Sequence, residues 1–189
     1  MRTQGPGQSA LLLLDVIHLL NERRIPYAIV GAFAASYHGV VRASLDADAV
    51  ISLQSGLEGK ELAQEFHRAR FKATYRTGDL KDPIGAVINI EDGFHNRVDL
   101  LMNIRGMTDA ALARAIDAEF MKTGIRVISL EDFIAMKVFA GGPQDVQDAI
   151  GALKVSSHRI KRPLLIELAQ QYGKETSRRL QSLLKEHGQ

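Results

Sequence analysis

Between Tyr27 and Leu53 the chain reads as an apolar strand, a glycine at Gly31, a short alanine-rich helix, Arg42, and a second apolar strand interrupted by Asp46 and Asp48. Side chains alternate along a strand, so Asp46, Asp48, Val50 and Ser52 share one face while Leu45, Ala47, Ala49, Ile51 and Leu53 share the other. The two carboxylates point the same way, about 7 Å apart at a rise of roughly 3.3 Å per residue. They enter a run apolar enough to be buried, where like charges repel unless something positive lies between them. A divalent cation is the obvious candidate. The chain has no cysteine, so oxygen or imidazole must hold any metal.

The flanking sequence supplies a frame for this unit. Residues 1–8 are polar and contain Gly5-Pro6-Gly7, which predicts a disordered lead. Ser9 is placed to cap a helix running to about Glu22, with Leu12, Val16, Leu19 and Leu20 at helical spacing. Tyr27 to Val30 is expected to form the first strand, and Gly31 to turn the backbone into a helix from Ala32 to His38. After the acid-bearing strand, Gly56 and Gly59 bracket a turn before a helix from Lys60 to Arg70, and Phe71 to Tyr75 reads as a strand. Ile84 to Ile90 alternates as a strand. Asp92-Gly93 signals a hairpin into a partner strand from about Phe94 to Ile104. In that partner Val98, Leu100 and Met102 share a face, and Asp99 points the opposite way, a third acid inside an apolar strand.

Downstream, a helix is expected from Thr108 to Ala118 and a small hairpin around Thr123-Gly124. Ser129 to Asp132 has capping-box form. The helix it opens ends at Gly141-Gly142, Pro143 suits the first turn of the next helix to about Leu153, and amphipathic helices follow over Pro163 to Tyr172 and Thr176 to Lys185. The predicted class is α/β in the α+β sense: a mixed sheet flanked by helices over residues 9–128, then a C-terminal helical region over residues 129–189.

The chain's 189 residues suffice for one core with such an appendage. The run from Ala10 to Leu14 is cut by Asp15, so a membrane span is not expected, and the absence of cysteine fits a reducing cytoplasm. From Lys154 onward there are eight basic residues against three acids, a net +5 that leaves −3 for the rest of a chain whose total is +2. A solvated helical face accounts for such a tail first, and a basic tail can also attract a phosphate-bearing partner. Lys137 falls on an apolar stripe with Phe133, Ile134 and Ala140, where a lysine either snorkels or meets an anion, and Asp145 across the glycine pair is a fitting partner.

Gly31-Ala32, His38-Gly39, Arg42, Ser44, Asp46, Asp48 and Asp99 together resemble the nucleotidyltransferase superfamily with the polymerase β-type fold. The resemblance is to its small bacterial branch of minimal nucleotidyltransferases and abortive-infection toxins. Leu130 to Ala140 followed by Asp145 and Asp148 also looks like the helical segment of that branch. The resemblance implies an enzyme that uses Mg²⁺, with two ions expected, to move a nucleoside monophosphate from an NTP to a hydroxyl on tRNA, a protein or a small molecule. It implies Asp46, Asp48 and Asp99 as metal-binding catalytic acids, with Gly31, Ala32, Arg42 and Lys137 on the nucleotide side. A toxin role beside an antitoxin partner belongs to the same expectation. Two positions depart from the pattern: Ala32 stands where Gly or Ser is common, and Gly141 to Gln144 lacks the usual basic residues. They support the other reading, a nucleotidyltransferase-like domain that binds without turnover.

Overall fold

Leu12, Leu13, Val16, Ile17 and Leu20 recur at helical spacing and are all buried. They form one face of helix α1, Ser9–Glu22, in the computed structural model, which describes residues 2–53, 58–79 and 81–187. Gly56, expected at a turn, lies outside the described residues. Ser9 is inside the helix rather than its cap: its Oγ donates to the Leu45 carbonyl at 2.6 Å and accepts from the Arg97 amide at 3.0 Å. The first helical turn is thereby tied to the entry of both acid-bearing strands. Residues 2–8, expected as a disordered lead, have a defined course. Thr3 is buried, Arg2 N donates to Asp15, and Gln8 N donates to Asn96.

The alternating apolar segments form one seven-stranded mixed sheet in the order β3-β4-β5-β2-β1-β7-β6. Its strands are β1 Tyr27–Ile29, β2 Asp46–Ile51, β3 Lys72–Thr77, β4 Ile84–Glu91, β5 Arg97–Ile104, β6 Ile116–Phe120 and β7 Thr123–Val127. β2 with β5 and β1 with β7 run parallel; the other neighbours are antiparallel. Helices α2 Gly31–Tyr37, α3 Gly59–Arg68, α4 Asp109–Ala113, α5 Leu130–Ala140, α6 Pro143–Val155, α7 Arg162–Gln171 and α8 Lys174–His187 complete the order. One continuous apolar core runs from Leu12 in α1, through Ile88 and Leu100 in the sheet, to Leu165 and Leu180 in the last helices. No helix among the described residues is long and apolar enough to cross a membrane.

Two elements differ from expectation. The helix predicted to Ala118 stops at Ala113, and Ile116–Phe120 is strand β6. There Ile116, Ala118 and Phe120 are half-buried and alternate with exposed Asp117 and Glu119, a period of two. The hairpin turn that follows is Met121-Lys122, both at positive φ (49° and 61°), and Thr123-Gly124 belongs to β7. Two left-handed residues give the twist that a two-residue hairpin needs.

The second difference sets the face of an acid. The hairpin at Asp92-Gly93 is not a two-residue turn: β5 starts at Arg97, opposite Glu91, so five residues form the loop. The Asp92 carboxylate accepts from Phe94 N, Asn96 N and Asn96 Nδ2 at 2.8–3.0 Å, and His95 takes φ 62°. A two-residue turn would pair Glu91 with Phe94 and hence Asp99 with Ala86, whose side chain faces the core. With the longer loop Asp99 pairs with Asn89 instead, on the open face.

Candidate active site

The strand register carries the acids into one row. Asp48 lies directly opposite Asp99 in the parallel β2–β5 pair, Asp99 opposite Asn89, and Asn89 opposite Thr74. A second row beside it runs Asp46, Arg97, Glu91, Lys72. Paired residues in a sheet share a face, so all three acids project from one side. The other side, with Ala47, Ala49, Val98 and Leu100, is buried. Asp99 on β5 is therefore the strand neighbour of Asp48.

Gly31 sits against this row. Its φ is 61°, and a Cβ built there would overlap the Asp48 carboxylate. Glycine is required twice over, for the left-handed backbone and for the approach of the acid. The Val30 amide bonds to the Asp48 carbonyl at 2.9 Å, which fixes the turn to β2. Ala32, the next residue, is buried in the seven-residue α2 and faces protein. His38, at the end of that helix, is buried with Nε2 at 2.9 Å from the Ile128 carbonyl, so it serves packing.

The acids do not converge on a point. Asp46 accepts from Ser44 Oγ at 2.7 Å and Asp99 from Asn89 Nδ2 at 2.6 Å. Among the described residues, no three acidic or imidazole side chains are gathered closely enough to hold a metal ion as they stand. Their mutual repulsion is nonetheless felt: burial first, then the charges of Asp46 and Asp99, push the Asp48 carboxyl up to about 6. The donor chemistry, hard carboxylate oxygens with unbalanced negative charge on an open face, fits a hard divalent cation.

Lys137 and Arg42, both expected on the nucleotide side, meet at a residue the sequence reading did not assign a role. Asp148 is fully buried, and its carboxylate receives Lys137 Nζ at 2.9 Å and Arg42 Nε at 3.2 Å, with Gln144 Nε2 at 3.0 Å. Lys137 also binds Asp145 at 2.7 Å, the partner expected across the glycine pair. Burial alone would raise the Asp148 carboxyl, but the hydrogen bonds from Lys137 and Gln144 and the charges of Lys137 and Arg42 hold it below its ordinary range. Both cations still face Asp48 closely enough to offset part of its shift. The signal for Asp148 was present in its spacing. Asp145 and Asp148 stand three apart in the first turns of α6, on one face of the helix. Asn89 had no such signal, because its place opposite Asp99 depends on the five-residue loop.

Two hollows flank the acid row. One of about 220 Å³ adjoins Gly31, Asp48 and Lys137 and is walled by Ile84, Leu101, Met136 and Phe139. The other, about 420 Å³, lies over β3 to β5, with Asp46 and Asp99 at one end and Thr74 and Arg76 at the other.

No family model matches the chain, and no curated protein sequence matches it. Among solved structures, an antigenic nucleotidyltransferase-like protein from Paracoccidioides brasiliensis is similar over 97% of this chain and 91% of its own, with TM-score 0.60 at 13% identity. The antibiotic-resistance factor ANT(2'')-Ia in solution aligns over 95% of this chain and 96% of its own, at TM-score 0.59 and 17% identity. This chain has the nucleotidyltransferase fold. A lincosamide antibiotic adenylyltransferase, LnuA with lincomycin bound, shares the nucleotidyltransferase fold over 81% of this chain and 99% of its own, at TM-score 0.50 and 12% identity. Within that fold Gly31, Asp46, Asp48 and Asp99 lie together, and Arg42 and Lys137 stand behind them, joined through Asp148.

Proposed function

We propose that the protein is a Mg²⁺-dependent nucleotidyltransferase that moves a nucleoside monophosphate from an NTP to a hydroxyl acceptor. The observation that carries this reading is the direct pairing of Asp48 with Asp99 on adjacent parallel strands, beside a glycine turn pressed against Asp48. Asp46, Asp48 and Asp99 would hold the metal, with two ions expected. When bound, Mg²⁺ supplies charge neutralisation at the phosphate oxygens. The acceptor oxygen forms a bond to the α-phosphorus, the bond from that phosphorus to the bridging oxygen breaks, and pyrophosphate leaves.

Asn89 occupies one oxygen of Asp99, which leaves the other to take the acceptor's proton. Gly31, on the nucleotide side, lets the Asp48 carboxylate lie against the turn, in the space a side chain would fill. Lys137 and Arg42 supply positive charge at the edge of the site, damped by Asp148. The apolar-walled hollow beside Gly31 suits a nucleobase and the polar one an acceptor.

Radiolabelled NTPs, each supplied in turn with Mg²⁺, total RNA and cell extract, are expected to label an acceptor, and Asp48→Asn is expected to abolish it. tRNA is one acceptor class in this reading; a protein side chain and a small molecule are the others. tRNA binding should weaken with salt and on loss of Arg178 and Arg179 in α8. As a cytoplasmic toxin, the protein should arrest growth when expressed alone, and an antitoxin should relieve the arrest. A second reading, binding without turnover, draws on the engagement of both Lys137 and Arg42 by Asp148. Nucleotide binding with no labelling by any NTP would select it.

A further inference from the structure

We infer that the 420 Å³ groove over β3 to β5 selects a phosphorylated sugar-type acceptor, presenting a hydroxyl to Asp99 and a phosphate to Arg76. This rests on the transferase reading and names its substrate class. The groove floor is set by register. One row carries Thr74, Asn89 and Asp99, a second Lys72, Glu91 and Arg97, and a third begins with Arg76 opposite Val87.

Eight of the nine residues that line the groove are polar or charged, Ile90 being the exception, which favours a ligand rich in hydroxyls. The groove's charge is also divided. The acids Asp46 and Asp99 lie at the β2–β5 end, while the β3 edge carries Lys72 and Arg76. Glu91 is shared between Lys72 at 3.7 Å and Arg97 at 3.8 Å, so one carboxylate answers two cations, and His95 Nδ1 lies 2.7 Å from it. Arg76 is exposed and has no ion-pair partner among the described residues. A guanidinium with no partner, facing a groove, is matched to an oxyanion that it can bind through two hydrogen bonds.

The spacing limits the ligand. β3 and β5 are two strands apart, about 10 Å between backbones, and the reach of arginine and aspartate inward shortens that gap to the length of a single sugar phosphate. Thr74 and Asn89, between them, offer hydrogen bonds to intervening hydroxyls. Both a free sugar phosphate and the end of an RNA chain carry this chemistry.

The full chain should be titrated with ribose 5-phosphate, with ribose, and with a short oligoribonucleotide bearing a free terminal hydroxyl, all without NTP. Ribose 5-phosphate is expected to bind at least about tenfold more tightly than ribose. Arg76→Glu should remove that preference, Arg76→Lys should keep most of it, and Arg68→Glu, on α3 behind the sheet, should leave it intact, with melting temperatures confirming that each variant folds. Tighter, Arg76-dependent binding of the oligoribonucleotide identifies an RNA end as the source; Arg76-dependent binding of ribose 5-phosphate alone identifies a free sugar phosphate. Equal affinity for ribose and ribose 5-phosphate, or a preference untouched by Arg76→Glu, overturns the inference. The underlying activity fails separately: Arg76-dependent binding without any nucleotide transfer removes the transferase reading, whereas transfer unaffected by Arg76→Glu removes only the acceptor class.

Discussion

Asp48 is held in its least favoured state at neutral pH. Burial and two neighbouring acids raise its carboxyl from 3.8 to about 6, so the unfolded chain gives up this proton more readily than the fold does. The stability that the neutral acid contributes is complete below the ordinary carboxylate range and is lost as pH rises through about 6. Asp48→Asn should therefore raise the melting temperature at pH 8 and change it little at pH 4, by an amount corresponding to roughly 1–3 kcal/mol once solvent at the open face is allowed for. Adding Mg²⁺ at pH 8 should stabilise the wild type and leave Asp48→Asn unmoved, since cation and proton compete for one site. Gly31→Ala combines a left-handed backbone with an overlap on the Asp48 carboxylate. It should cost about 1–3 kcal/mol in urea unfolding and displace the acid, reducing transfer at least about tenfold.

At the scale of elements, the corner between α5 and α6 organises the cations. Ser129 caps α5, accepting from Asp132 N at 3.2 Å, and Gly141 closes it in the left-handed conformation at φ 67°. α6 then starts on Pro143 and turns Asp145 and Asp148 toward Lys137. Asp148→Ala strands two cations around a buried site and should lower stability by about 3–5 kcal/mol in denaturant titration, part of which Lys137→Met should restore in the double variant. The capping pattern, the glycine end and the Lys137–Asp145 pair could all be read from the sequence because they are local. Arg42 to Asp148 spans 106 residues and starts in a loop with no periodic signal, so only the fold brings it about. β6 was legible in principle: Ile116-Asp117-Ala118-Glu119-Phe120 alternates cleanly, but a run of alanines just before it favours helix by propensity.

For the whole molecule, the acids follow from how the strands are ordered. β2 and β5 are distant in sequence and adjacent in space, and their parallel register puts Asp48 opposite Asp99. The placement of β2 after a glycine turn was visible beforehand, as was the side of β5 on which Asp99 stands, opposite Val98, Leu100 and Met102; its pairing with Asn89 depended on the Asp92–Asn96 loop. Asp92→Ala removes three hydrogen bonds that shape it and should destabilise the protein by about 1–3 kcal/mol, read as a lower urea midpoint with transfer retained. Replacing the loop is the milder change. Glu91 stays opposite Arg97 as long as Ile88, Ile90, Val98 and Leu100 keep their buried face, because a one-residue slip would turn all four toward solvent. The core thus proofreads the site: the same apolar alternation that stabilises β4 and β5 holds Asp99 beside Asp48, and grafted turns of different length that close this pair should retain transfer.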